Sequence, residues 1–319
     1  MSFDIIGTGS AEPDFRLTNK MLEEMVETSD EWITQRTGIK ERRILKDETL
    51  RGLALKAAQA AVDNAGIDPK QLDYILFGTI SAEYKTPSQA SILAMDLGVD
   101  CTAMDLNAAC TGFLYALDLA DALFQAGKAE YILVAGMEIM SRYIDYTDRR
   151  TCVLFGDGGG CVVLKKGNGL KVIHTSNRGN IEALNIPNVF RDTPWHKETQ
   201  TRDTVEMSGG EVYKFAVGSF MTELGICLTK ASLTIGDLDL VVPHQANSRI
   251  IESAREKLGL SEDKIVNEVA KRGNTSAGSI PLLLDELNRS GRLKAGMKIA
   301  MVAFGGGLTS AGAVIEWTK

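Results

Sequence analysis

One pattern occurs twice in this chain, and the repeat limits its fold more than any other feature. A helix-like segment, GLALKAAQAAVDNAGI, leads through DPKQLD into the apolar run YILFGTIS. Further on, KFAVGSFMTELGICLTKASL leads through TIGDLD into LVVPHQAN. Asp73 and Asp239 close the two linkers, 166 positions apart. The segments that follow also match. FLYALDLADALFQAGKAEYILVAG resembles IPLLLDELNRSGRLKAGMKIAMVAFG, with Gly127 and Gly291 at helix ends and Gly136 and Gly305 at strand ends. A repeat of this length predicts two similar subdomains rather than a solenoid. Helical periodicity alternates with short β-branched runs in both copies, which predicts an α/β fold. The expected halves are 1–170 and 171–319, joined at KKGNGL and packed as one body.

A length of 319 residues accommodates two fused halves of that size. Hydrophobic residues make up 44% of the chain, yet no apolar run approaches the roughly 20 residues that span a bilayer. The expectation is therefore no membrane association. MSFDIIGTGS lacks the basic-then-apolar order of a secretory leader, so a cytoplasmic location is expected. Five scattered cysteines without a CxxC pair predict reduced thiols rather than disulfides or a zinc site. The formal net charge of −7 argues against nucleic-acid binding and leaves room for a local basic patch. GTGSAE starts like a dinucleotide fingerprint, but Glu12 stands where the third glycine belongs.

In α/β sheets, chemistry gathers at strand carboxyl ends, where turns meet helix N-termini. Four segments fit that rule: NAACTG, PHQAN, GNTSAGS and FGGGLTS. Cys110 precedes a helix expected to begin near Thr111 or Gly112, whose free N–H groups and dipole favour a thiolate. The alternative is a buried core thiol, the reading that Cys101, Cys152, Cys161 and Cys227 keep. His244 ends an apolar strand and precedes SRIIESAREKLG, capped by Asn247 or Ser248. It reads as catalytic or as a buried structural imidazole, whereas His174 and His196 read as structural or solvent-exposed. Asn274 either shapes a turn or offers amide donors to a developing oxyanion. FGGGLTSAG is either a tight turn or a backbone donor completing an oxyanion hole.

TSDEWITQRTGIKER, NAACTGF, FGDGGG, MSGGEVYKFAV, PHQAN, GNTSAGSIPL and FGGGL together resemble β-ketoacyl-acyl carrier protein synthase III, in order and spacing along the whole chain. The resemblance implies a thiolase-like fold, with two duplicated α/β halves in a five-layered αβαβα arrangement, and a homodimer. It implies that acyl-CoA acylates Cys110, and that malonyl-acyl carrier protein then loses CO2 and attacks the acyl group to give a β-ketoacyl product. His244 and Asn274 complete the triad by holding the enolate oxygen. Backbone N–H groups of Cys110 and Gly306 form the oxyanion hole. No metal or redox cofactor is implied, coenzyme A thioester being a substrate. Phe304 stands where thiolases carry a second cysteine, and Asn274 where elongating ketosynthases carry a second histidine.

By the same resemblance, coenzyme A and its pantetheine arm fall to Trp32, Arg36, Arg149, Gly209, Tyr213, Ala246 and Asn247, with an indole and a guanidinium sandwiching the adenine. Thr86 and Phe304 are assigned to the acyl pocket. Thr86, before Pro87, stands where some relatives place a bulky aromatic that floors the partner's pocket, so primers longer or more branched than acetyl are expected. The segment LTSAGA also lacks a tryptophan that relatives commonly carry after the threonine. Lys214, Arg249, Arg255 and Lys257, interrupted by Glu256, are the expected carrier-protein docking residues. Two other enzyme readings stay open. A papain-like thiol hydrolase has Cys, His and Asn in this order, and the gap of 134 from Cys110 to His244 suits it, although its local cysteine signature is missing. A paralogue that primes polyketide or quinolone synthesis has the same triad. The intact triad argues against a non-catalytic scaffold.

Overall fold

The computed structural model describes residues 2–319. The first half runs through β1 (Ser2–Ala11), a ribbon of β2 (Arg16–Thr18) and β3 (Glu41–Arg43), then β4 (Tyr74–Gly78), β5 (Thr102–Leu106), β6 (Tyr131–Ile139) and β7 (Asp157–Gly167). The second contains β8 (Leu170–Asn177), a ribbon of β9 (Leu184–Asn185) and β10 (Glu206–Met207), then β11 (Leu240–Pro243), β12 (Lys298–Gly305) and β13 (Thr309–Glu316). The helices are α1 (Asn19–Glu23), α2 (Asp30–Thr37), α3 (Leu50–Ala65), α4 (Gln89–Leu97), α5 (Gly112–Gln125), α6 (Gly209–Lys230), α7 (Ser248–Leu258) and α8 (Ser279–Arg289).

The first sheet has the order β1-β7-β6-β4-β5. Its first two pairings are antiparallel and its last two parallel. The second sheet, β8-β13-β12-β11, has the same order and the same strand senses. Where a fifth strand would stand, Ile265 makes a single parallel bridge to Val241.

Period-two burial builds the layers. In β6, Ile132 and Val134 face a central core, while Leu133, Ala135 and Met137 face an outer one. In β12, Ile299 and Met301 face the same central core, while Ala300 and Val302 face the opposite outer one. The central core is filled by α5 and α8, through residues such as Phe113, Leu117, Ile280 and Leu284. Helices α3 and α4 cover the outer face of the first sheet, and α6 and α7 that of the second. The result is five α/β layers, with α5 enclosed between sheets and correspondingly apolar. None of the described helices is long and apolar enough to cross a membrane.

The GTGS segment is a packing device. Gly7 and Gly9 lie within β1, and a Cβ at Gly7 would stand 2.7 Å from the Ala65 nitrogen of α3. Strand and helix approach too closely there for any side chain.

Candidate active site

After β5, the turn Ala109–Thr111 leads directly into α5 at Gly112. Ala109 is held at φ 46°, a left-handed conformation costing an L residue roughly 1–2 kcal/mol. The turn places Cys110 at the start of α5, which no side chain caps. Gly305, at the end of β12, packs against it: a Cβ there would lie 2.8 Å from the Cys110 nitrogen and 2.9 Å from its Cβ. The Thr111 hydroxyl donates to Thr309 Oγ1 at 2.9 Å, and Thr309 donates to the Gly306 carbonyl at 2.9 Å. These bonds tie the FGGGLTS turn to the cysteine turn.

His244 directly follows β11. Its backbone N–H donates to the Val302 carbonyl at 2.8 Å, and its side chain is buried. Nδ1 lies 2.7 Å from Ser279 Oγ, and the ring meets Phe304 edge-on at 5.4 Å. Burial pushes the imidazole down to about 3, so it is neutral at physiological pH. Gln245 fixes the backbone beside it: its amide donates to Pro243 and Val266 carbonyls at 2.8 and 3.1 Å, and accepts the Glu268 N–H at 2.8 Å.

Asn274 is held by the other half of the chain. Its N–H donates to the Leu154 carbonyl at 2.9 Å, and its carbonyl accepts the Gly156 N–H at 3.0 Å. Gly273, at φ 65°, permits this approach, since a Cβ there would stand 2.6 Å from the Leu154 carbonyl. The side-chain oxygen accepts the Ser276 N–H at 2.8 Å, which turns the NH2 group of the amide the other way.

Cys110 lines two cavities. One, of about 440 Å³, is shared with His244, Asn274, Phe304 and Gly305, and its walls include Arg36, Gly209, Tyr213, Ala246, Asn247 and Arg249. The other, of about 530 Å³, extends past Gly306 and is lined by Ile80, Met140, Tyr143, Leu184 and Val205. Three strand ends and the Asn274 turn thus bring the sequence candidates to one place.

Several expectations change. Phe304 lines the His244 cavity instead of the one beyond Gly306. Thr86, expected at the partner's pocket, lines neither cavity of its own chain, whereas its neighbour Lys85 lines the second. Trp32 and Arg149 stack directly on each other, the guanidinium 5.2 Å from the ring centroid, so a base between them requires Arg149 to move. Arg255 is engaged by Glu252 at 2.6 Å and by the Leu260 carbonyl. Lys214, Arg249 and Lys257 are exposed. Arg249 lies 5.6 Å from the Tyr213 ring centroid. His174 pairs with the buried Glu223 at 2.7 Å and His196 is exposed.

At Cys110, burial opposes the favour that the helix N-terminus lends a thiolate. Burial pushes the Cys110 thiol up to about 11; the Ser276 hydroxyl works against that shift and the Glu138 carboxylate adds to it. Burial in turn pushes Glu138 up to about 7, against the donors of Ser81, Ile80 and Thr79. A thiol with a raised value gains thiolate tenfold per pH unit below it. Alkylation of resting Cys110 by iodoacetamide is therefore expected to rise steadily from pH 6 to 9. A rate already level at pH 7 would contradict this.

Glu138, Gln245, Ser276 and Ser279 escaped the sequence reading. Glu138 left a signal, an acid inside the apolar run YILVAGMEIM, because a buried carboxylate demands partners. Both serines follow Asn274 in a segment that reads as turn chemistry. Among the described residues, no group of three or more His, Cys, Asp or Glu is placed to hold a metal ion.

Comparison with known proteins agrees with this geometry. Residues 104–179 match the family model for 3-oxoacyl-[acyl-carrier-protein] synthase III, and residues 228–317 match the model for its C-terminal part. A β-ketoacyl-[acyl-carrier-protein] synthase III from Clostridium acetobutylicum is 43% identical, over 100% of this chain and 99% of that protein. The crystal structure of the Aquifex aeolicus 3-oxoacyl-[acyl-carrier-protein] synthase III superposes with a TM-score of 0.93 at 41% identity, covering 99% and 100% of the two chains. A priming β-ketosynthase from a polyketide pathway superposes at 0.92 with 33% identity, covering 100% and 97%. With its halves, its Cys110 turn and its full-length similarity in accord, the chain belongs to the β-ketoacyl-[acyl-carrier-protein] synthase III family.

Proposed function

We propose that this chain starts fatty-acid synthesis by condensing an acyl-CoA primer with malonyl-acyl carrier protein. The observation that carries the reading is the single cavity shared by Cys110, His244 and Asn274, with Cys110 at the uncapped start of α5. In the first step Cys110 Sγ attacks the primer thioester carbon. The tetrahedral oxyanion is held by the N–H groups of Cys110 and Gly306, and its collapse forms the acyl-cysteine. The thiol proton ends on the departing coenzyme A sulfur. The terminus of α5 stabilises negative charge as it develops on sulfur, offsetting the burial that keeps the resting thiol protonated.

In the second step, the malonyl C–C bond breaks to release CO2 and leaves an enolate. Neutral His244 and the Asn274 amide donate to its oxygen. The enolate carbon then forms the new bond to the acyl carbon, and the Cys110 sulfur leaves as thiolate and takes a proton from solvent. The 440 Å³ cavity suits the pantetheine arm, and in the cavity beyond Gly306, whose lining is mixed, Ile80, Met140, Leu184 and Val205 give the acyl chain apolar contact beside Asn107, Asn177 and Asp203. Trp32, Arg36 and Arg149 serve the nucleotide end. The exposed Lys214, Arg249 and Lys257 give an acidic carrier protein a basic approach.

The halves 1–170 and 171–319 serve as one catalytic body in the cytoplasm. Two copies join along β5, whose outer edge is unpaired, with exposed Met104 on the strand and exposed Met95 and Tyr84 outside it. Light scattering should report twice the chain mass. The polyketide-priming paralogue is the second reading, favoured by its TM-score of 0.92.

Single-turnover condensation with acetyl-, isobutyryl- and octanoyl-CoA tests function and primer size together. Transfer to malonyl-acyl carrier protein is expected for all three, since Thr86 leaves more room than an aromatic side chain. Strict acetyl preference removes the Thr86 account, and hydrolysis of acyl-CoA without malonate removes the condensing function.

A further inference from the structure

Ser279 lies at the start of α8, buried, and is not among the residues lining the cavity that His244 shares with Cys110 and Asn274. Its Oγ is 2.7 Å from His244 Nδ1 and also accepts the Gln245 backbone N–H at 3.3 Å. The amide proton occupies one lone pair of the hydroxyl oxygen. The hydroxyl's own proton then needs an acceptor, and among the described residues the one within reach is His244 Nδ1.

We propose that Ser279 is a positioning residue that fixes the tautomer of His244, donating to Nδ1 and thereby placing the ring proton on Nε2, the nitrogen left to face the cavity. The inference rests on the condensing function proposed above and deepens it. Enolate stabilisation needs a donor, and a neutral imidazole with its proton on Nδ1 would present a lone pair to the enolate oxygen and repel it. Asn274 is oriented in a parallel way, because the Ser276 N–H occupies its oxygen and leaves NH2 for the substrate. Two backbone N–H groups, one acting through Ser279, therefore polarise both donors of the second step. Neither Ser279 nor Gln245 adjoins the Cys110 turn in these bonds, so loading and condensation should separate.

With only three histidines in the chain, imidazole 15N chemical shifts can be assigned and read directly. In the wild type, His244 is expected to show an unprotonated Nδ1 and a protonated Nε2. His174, facing the Glu223 carboxylate through Nδ1, provides a contrasting signal and a check on folding. Ser279→Ala should give mixed His244 tautomers and lower condensation kcat by about tenfold to a hundredfold, with Cys110 acylation unchanged. Ser279→Thr, which keeps the hydroxyl, should restore both the signature and the rate. A wild-type His244 protonated on Nδ1 overturns the proposal, as does a Ser279→Ala protein that keeps the tautomer or the rate. The spectrum reads the tautomer whether or not condensation occurs, so failure of the proposed reaction is distinguishable from failure of this inference.

Discussion

Cys110→Ala is expected to lower primer loading and overall condensation by at least about a thousandfold while leaving the protein folded. The fold should survive because the substitution removes one sulfur beside a cavity, and the contacts that fix the turn involve other groups. Thr111 and Thr309 bond to each other, and Gly305 packs on backbone and Cβ atoms that alanine retains. Stopped-flow release of coenzyme A and a thermal melt measure the two sides of this expectation. Retained loading with an unchanged melting temperature would remove Cys110 from the mechanism.

His244→Ala should separate the two half-reactions. Removing one preorganised donor to a developing oxyanion costs about a hundred- to a thousandfold. The loss is expected in decarboxylation of malonyl-acyl carrier protein and in condensation, with acyl transfer to Cys110 close to wild type. Asn274→Ala should do the same, since its NH2 group serves the same oxygen. His244 must stay neutral for this separation to hold. Burial holds it down at about 3, so the imidazole takes no proton until far below physiological pH, and a base that must pick up the thiol proton would be ill-served by it. A His244→Ala protein that fails equally in loading would reassign the residue as the base for Cys110.

The architecture was legible because a duplicated α/β pattern survives in the sequence as matched linkers and glycines. Asp73 and Asp239 hold equivalent places: each side chain accepts a backbone N–H at the entry to a central strand, Asp73 from Tyr131 at 3.0 Å and Asp239 from Lys298 at 2.8 Å. Cys110 and His244 stood out as candidates by position, at strand carboxyl ends, but their joint role with Asn274, which lies in a turn, came from the resemblance of the motifs rather than from position. Their supporting residues were not legible. Ser279 and Ser276 act through hydrogen bonds closed by tertiary folding, and serine in a glycine-containing turn has an ordinary local explanation.

The protonation of Cys110 was only half legible for a related reason. A helix N-terminus can be seen in a sequence, while the burial that opposes it, and the Glu138 charge that adds to it, arise only when the chain is folded around Cys110. Likewise, the adenine slot at Trp32 and Arg149 follows from residue types alone, but whether two such groups stand apart or close on each other is a matter of side-chain rotamers.

In the proposed mechanism a primer becomes covalently bound to Cys110 and waits there for malonate. Peptide mass spectrometry after incubation with acetyl-CoA and then malonyl-acyl carrier protein tests it most directly. The prediction is an acetyl adduct on the peptide that contains Cys110, stable without malonate and discharged as β-ketoacyl product when malonyl-acyl carrier protein is added. Condensation that proceeds with Cys110 never modified, or an adduct lost to water at the same rate with and without malonate, would contradict the account.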